Sequence, residues 1–466
     1  MKKIFLVLGI LLTIHQTQAQ NFIGAHYSTK DAMITNSLNP ALPVAGDVKW
    51  QVNLLGVNVN AGNNYFGLNG LKGIAKDFDK ETSLIQILDG KRKNLHVNLG
   101  FNGPGAFIRI KKTNAITFGV RGRAVATIND MNQDLVYSLY NDFSNILDWA
   151  PTFKDERGAG AVNVYHEIYA GFGKSINIGD RHAIHLGVNA KLITNVFNAQ
   201  FDVNDLNFNK FVTSATDSFI NVGNTNFNFL VSDRIDDGFK YKFGINGFGF
   251  DVGAIYELKK QGTNEHFLLL GLSVNDIGRN SYTLGKNSRT FVGNNTNVHA
   301  SELVNGDGST INIDEVLDKL GTNVTPTGKH KMKLPMAINV FADVRIVKMF
   351  YANANFQINP YSFKKGDPKA NLPDNITITP RFETRIFSAY LPVNWNKYSG
   401  FNAGAAIRLG QFTLGSSNII TAFIKKPFTG MDVYLNIGFG KIDKGNKSKK
   451  AKDEKTKEEK QKSDEN

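Results

Sequence analysis

The sequence reads as all-β: a transmembrane antiparallel outer-membrane β-barrel of about fourteen strands, with short helices in its long outer loops. Three observations lead there. Runs that alternate apolar and polar residues fill most of the chain, and short and long connections take turns between them. The chain also opens on an export signal, yet has no cysteine and no later stretch of roughly 18 apolar residues.

Residues 1–19 have the three-part layout of a secretory signal: Lys2 and Lys3, an apolar core from Ile4 to Ile14, and a polar end at Thr17-Gln18-Ala19, where cleavage is expected. The absence of cysteine excludes a disulfide framework, lipid attachment at an N-terminal cysteine, thiolate metal sites and cysteine nucleophiles. Residues 20–47, which include the turn Asn39-Pro40-Ala41, form a periplasmic, hatch-like segment ahead of the barrel, assigned to 48–440. The turn is expected to enter the wall or to fold beneath the lumen.

The staves show a period of two. In "NAITFGVRGRAVATI", Ile116, Phe118, Val120, Ala124, Ala126 and Ile128 oppose Thr117, Arg121, Arg123 and Thr127. "RHAIHLGVNAKLI", "AINVFADVRI" and "MFYANANFQI" split the same way. A soluble sandwich would alternate too, so loop lengths decide. "KKTN", "NIGDRH", "KKQGTNE" and "VKM" are short, whereas roughly 60–93, 129–160, 201–242, 277–333 and 359–373 are long. A direct strand count is odd, so one more strand is expected within "LNFNKFVTSATDSFINVGNTNFNFLVSD". Two long connections, "NDMNQDLVYSLYNDFSNILDWAP" and "LNGLKGIAKDFDKETSLIQILDG", read as helical.

The last strand, "GMDVYLNIGFG", alternates Val433, Leu435, Ile437 and Phe439 against Asp432, Tyr434, Asn436 and Gly438, and should close the barrel against Val48 to Val59. Residues 441–466 hold ten Lys among seven acidic residues with almost nothing apolar, and should be a disordered periplasmic tail. Composition agrees with one-faced strands: 44 Gly, 34 Phe and 14 Tyr accompany an apolar fraction of only 41%. The formal charge of +13 owes much to the signal and the tail, so it does not point to nucleic acid.

The segments "NSLNPALP", "FGINGFGFDVGAIYEL", "LLLGLSVNDIGRNSY" and "NAGAAIRLGQFTLGSSNIITAFIKKPFTGMDVYLNIGFG" resemble an uncharacterised family of outer-membrane barrels of Bacteroidetes-type bacteria. That family is distantly similar to PorP/SprF-like proteins of gliding and type IX secretion and to FadL-type transporters. The resemblance implies a closed barrel and brings no catalytic residues. Through the FadL-type members it implies passage of hydrophobic molecules past an N-terminal hatch, whose motif Asn39, Pro40 and Ala41 match.

Chemistry-bearing motifs are scarce. His182 and His185 point to opposite faces of a strand, while His96, His166 and His266 stand apart. In "GINGFGFDVG", Gly247, Gly249 and Gly253 share a face with Asp251, which suits close packing inside a barrel better than nucleotide binding. No catalytic residue, metal or cofactor is expected. If the apolar face meets lipid, the lumen is lined by Arg121, Arg123, His185, Lys191, Asp251, Glu257, Asp343, Arg345, Arg381, Glu383, Arg385, Arg408 and Asp432. Mixed signs suit cross-lumen ion pairs better than a selective pore. The expected partner is outer-membrane lipid, with envelope proteins a further one through the outer loops or the tail. Two roles compete: passage of small or hydrophobic molecules, and a structural barrel of an envelope complex such as the type IX secretion or gliding machinery.

Overall fold

The computed structural model describes residues 22–68, 84–111, 113–133, 135–136, 153–214, 217–261, 263, 265–303, 312–360, 369–425 and 427–443. Fourteen staves form the wall: β1 Val48–Asn63, β2 Lys93–Ile110, β3 Asn114–Met131, β4 Phe153–Ile178, β5 His182–Ser214, β6 Gly247–Lys259, β7 His266–Thr283, β8 Ala337–Val347, β9 Phe350–Ile358, β10 Asn375–Glu383, β11 Phe387–Tyr390 continued by Val393–Asn396, β12 Gly400–Ala403 continued by Ala405–Leu409, β13 Phe412–Ser416 and β14 Gly430–Ile442. Each pairs antiparallel with its neighbours around the ring. β14 closes onto β1, with Val433 opposite Val59 and Phe439 opposite Val52. Closure leaves no free edge, so every stave can satisfy its backbone within the ring.

The apolar face points out. Ile116, Phe118 and Val120 on β3, Leu186, Val188 and Leu192 on β5, and Phe248, Phe250 and Val252 on β6 are all exposed, and comparable side chains continue round the wall. Their opposite faces are buried in the lumen and polar: Asn53, Thr117, Asn189, Asn339, Asn353 and Asn436 are each under 5% exposed. Apolar outside and polar inside is the arrangement of a wall whose solvent is lipid.

Six tight turns, between β2 and β3, β4 and β5, β6 and β7, β8 and β9, β10 and β11, and β12 and β13, lie at the end of the barrel that holds Val48 and Ile442. At the other end the strict alternation of loop lengths has one exception, the tight hairpin through Lys397-Tyr398-Ser399.

The strand expected within 206–233 corrects the sequence reading. Asp217–Val231 is a strand, but it pairs with the upper part of β5 (Ala199↔Val231, Phe211↔Phe219), whereas the wall continues from His182–Ile193 of β5 to β6. The ring reaches fourteen without it. β5 overshoots the wall, and Asp217–Val231 joins Arg289–Gly293 and Val298–His299 in an outcrop. That outcrop has its own core of Phe208, Ile220, Val222, Phe291, Leu303, Val316 and Leu320.

The two helical loop readings fall largely on 69–83 and 137–152, outside the described residues. At their margins, Leu84–Gln86 is a strand paired with Phe66–Leu68, which corrects the first reading there, whereas in the second β3 runs to Met131 and the described residues Gln133, Leu135 and Val136 are helical as expected. β14 runs to Ile442, two residues beyond the expected boundary. The signal and the tail from 444 onward lie outside the described residues.

Candidate functional site

Residues 22–47 lie inside the ring. A 3-10 turn, Ala25–Tyr27, is followed by two short helices, α1 Ala32–Thr35 and α2 Leu42–Ala45. Asp31 caps α1 by accepting from the backbone N–H of Met33 and Ile34, while Pro43 sits in the first turn of α2, where its missing N–H costs nothing. Almost every residue from Phe22 to Val44 is buried. So little regular structure could not hold this shape alone; the wall holds it.

The contacts come from all round the ring. From β1, Gln51 donates to Asp31 Oδ1 at 2.8 Å and accepts from the Ala32 N–H at 2.8 Å. From β2, Arg109 donates to the carbonyls of Pro43, Gly46 and Val48. From β7, Asn275 donates to the carbonyls of Ser37 and Leu38, and Ser273 also donates to Leu38. From β14, the Tyr434 hydroxyl donates to the Ile23 carbonyl at 2.7 Å, with its ring edge-on to Phe22. Thr29 donates to Glu383 of β10, and Lys30 pairs with Asp47 at the foot of the segment.

The turn Asn39-Pro40-Ala41 is seated in a notch. Gly187 of β5 and Gly253 of β6 lie opposite each other in the wall, and a Cβ on either would collide with it: 2.2 Å from the Pro40 carbonyl group, 2.0 Å from Asn39 Oδ1. Asn39 closes the turn by accepting from the Ala41 N–H at 2.9 Å and donates to the Leu272 carbonyl at 3.0 Å. Beside the notch, Tyr27, Leu38, Ala41 and Leu42 pack on Ile255, Leu269 and Phe341 of the wall. These three inward-facing apolar residues break the polar-lumen rule at the place where the segment needs a dry seat.

Above the segment, on the side formed by β3 to β7, lies a buried cluster of charges. Asp276 accepts from Arg123 Nη1 and Lys191 Nζ, each at 2.6 Å; Lys191 also reaches Asp251 Oδ1 at 2.6 Å, and Arg121 reaches Glu167 Oε1 at 3.2 Å. The Asp276 N–H donates to Asp251 Oδ1 at 2.8 Å. Arg121 stacks 3.9 Å from the centroid of the Tyr169 ring. Three cations meet three carboxylates, so the cluster is neutral and cross-braces five staves.

A second group ties β7, β8 and β10. Asp343 takes a two-pronged contact from Arg381, one arm at 2.9 Å, and a bond from His266 at 3.0 Å; Arg381 Nε reaches Glu383 at 3.2 Å. His185 bridges Glu257 and Ser175, at 3.0 and 2.7 Å. Of the remaining expected lumen residues, Arg345 pairs with the turn residue Glu265, Arg408 donates to the Thr384 and Gly410 carbonyls and to Ser388, and Asp432 accepts from Asn60 and the Ser417 N–H.

Arg385 is the one expected lumen residue placed elsewhere. β10 ends at Glu383, and Arg385 is exposed in the turn that follows, where strand alternation no longer applies. His266 does not stand apart, because it serves Asp343. Two members of the first cluster escaped the sequence reading. Glu167 follows ordinary alternation within β4, but Asp276 sits at a kink of β7 with φ +60°, where counting by twos fails.

Burial acts on the segment's own ionisable groups. It pushes the Asp31 carboxyl up and brings His26 down to about 3, since neither charge is hydrated there. Over the lumen, the strand-free stretch 369–373 crosses from β10 towards β3: the Thr127 hydroxyl donates to the Lys369 carbonyl, and Ala370 packs with Val125, Ala161, Tyr282 and Met332. The lumen is thus occupied below by residues 22–47 and crossed above by 369–373.

A family model described as "Family of unknown function (DUF5723)" matches residues 40–417. No curated protein matches the sequence. Among solved structures the chain is similar to a Pseudomonas aeruginosa FadL homologue, at 10% identity and TM-score 0.41 over 89% of this chain and 93% of that one. It is also similar to a TodX deltaS2S3 mutant monoaromatic hydrocarbon channel (9%, 0.44, 88% and 94%) and to the Ralstonia pickettii toluene transporter TbuX (9%, 0.37, 89% and 93%). Overlays this loose carry nothing about what this chain does.

Proposed function

The chain belongs to the Family of unknown function (DUF5723), and we propose that it is an outer-membrane barrel that passes a small hydrophobic molecule and is held shut at rest by residues 22–47. The export signal and the lipid-facing wall support the location. The observation that carries the function is the seat of the closing segment. Residues 22–47 belong to no stave, and under them the wall turns Ile255, Leu269 and Phe341 inward. Movement of the segment would uncover these apolar side chains together with Phe107 and Ala115, which also pack on it, and a hydrophobic molecule is the cargo that gains from such a surface. The neutral ion-pair cluster offers no excess charge to select ions.

Uptake into liposomes tests the reading. A hydrophobic fluorescent probe should enter vesicles carrying the barrel faster than empty ones, and faster again when residues 22–47 are deleted. Equal uptake in all three would refute it.

The second role, a structural barrel of an envelope complex, draws on a different observation: the outcrop stands above the wall with a hydrophobic core of its own. Isolation of the barrel as a lone monomer from crosslinked native membranes would count against it.

A further inference from the structure

We propose that the outer face of the wall carries a binding site for an anionic membrane lipid, in the cleft between the stretch 233–246 and β6–β7. The inference is independent of whether the lumen conducts. The cleft has a volume of about 710 Å³ and forms where β7 departs from regular pairing. Asp276 takes φ +60°, the β6–β7 register shifts between Val274 and Ile277, and β7 changes partner from β8 to Lys329–Lys333. Gly278 permits the kink, since a Cβ there would lie 2.1 Å from the Phe248 carbonyl oxygen.

The lining has two parts. Its lower edge is the lipid-facing wall, where Phe248, Phe250 and Ile277 are 58%, 48% and 38% exposed. One step higher the chemistry changes. Arg279 follows Ile277 on the same outward face, and Lys331 and Lys329 stand opposite Ser281 and Thr283 across the pair, with Lys242 and Arg234 arriving from the overlying stretch. Five cations line the cleft against one carboxylate, Asp233. Two residues along a strand span about 7 Å, so the change from apolar to cationic occurs over the distance that separates acyl chain from headgroup.

Arg234 differs from the four exposed cations in being largely buried. Its side chain is only 11% exposed, its Nη1 is buried with no hydrogen-bond partner, and the nearest carboxylate oxygen, on Asp233, is 3.9 Å from Nε. Its positive charge lines the cleft with only that long contact to balance it, and a phosphate oxygen would add a closer partner. Arg279, Lys242, Lys329 and Lys331 have no carboxylate partner among the described residues. An anionic headgroup among these cations, with its chains against Phe248, Phe250 and Ile277, answers both halves of the lining. A free anion would answer only one.

The test is native mass spectrometry of the full-length barrel released from detergent and titrated with dioleoyl phosphatidylglycerol or dioleoyl phosphatidylcholine. The anionic lipid should bind about tenfold more tightly. Arg234→Gln with Arg279→Gln should abolish that preference, and Lys329→Gln with Lys331→Gln, at exposed positions that leave folding intact, should reduce it several-fold. Inorganic phosphate should not displace the lipid. Equal binding of the two lipids by the unmodified barrel overturns the proposal, as does a preference that is undiminished in the lysine variant. Displacement of the lipid by inorganic phosphate would overturn the lipid as occupant and leave an anion site.

Discussion

Asn39 stands where a side chain on Gly253 would have to be: its Oδ1 lies 2.0 Å from the position of a Cβ at that glycine. The closing segment and the wall are therefore fitted to each other at one point, and substitution there should act on the segment before the barrel. Gly253→Val should release residues 22–47, at a cost of roughly 1–3 kcal/mol to the seated state. Limited proteolysis of the barrel in vesicles should then cut within 22–47 while the wall stays intact. Protection equal to the unmodified protein would show that the notch does not hold the turn.

Tyr434→Phe removes the hydroxyl that donates to the Ile23 carbonyl and leaves the ring against Phe22. The loss should be about 1 kcal/mol, confined to the first residues of the segment. Hydrogen exchange should rise around Ile23 to His26 and stay unchanged in β14.

Asp276 holds both Arg123 and Lys191. Asp276→Asn keeps a residue that tolerates positive φ but leaves the buried cluster with three cations against two carboxylates, and should cost about 3–5 kcal/mol in urea unfolding from lipid vesicles. Pairing it with Arg123→Met should recover part of the loss, because the two residues act as a unit. Strict additivity would mean that the cluster does not brace the wall.

His26 makes the seating of the segment depend on pH. Its neighbours in a small cavity are Ser37, Leu38, Asn275, Ala337, Asn339 and Gln357, with the Tyr27 ring alongside, so no carboxylate stabilises its charged form. Burial lowers it from 6.5 to about 3. The seated state therefore binds the proton less readily than the released one, so seating is fully favourable above pH 6.5 and weakens as pH falls towards 3. By pH 5 the loss is about 2 kcal/mol. Protease sensitivity of residues 22–47 should rise on acidification, and His26→Gln should flatten that dependence. An identical acid response in the variant would assign it to other groups.

The wall was the most legible part of the sequence, because a lipid outside and a polar lumen inside impose the same two-residue period on each stave. Arg121, Arg123, Lys191 and Asp251 could be assigned to the lumen by that period alone. The period fails where the strand does. A kink hides Asp276, Arg385 lies two residues past the end of its strand, and Asp217–Val231 alternates like a stave although it pairs above the wall. Packing inside the ring was not legible either. Phe341 and Leu269 face inward because residues 22–47 cover them, and Gly187 and Gly253 are matched to the Asn39-Pro40 turn by a contact more than 140 residues away in the chain. Such long-range fits leave no periodic trace.

If residues 22–47 shut the lumen, single-channel recording in planar bilayers should reveal it. The intact barrel should be silent, and the barrel lacking residues 22–47 should show a steady conductance. A steady conductance from the intact protein, or silence from both, would show that residues 22–47 do not shut the lumen.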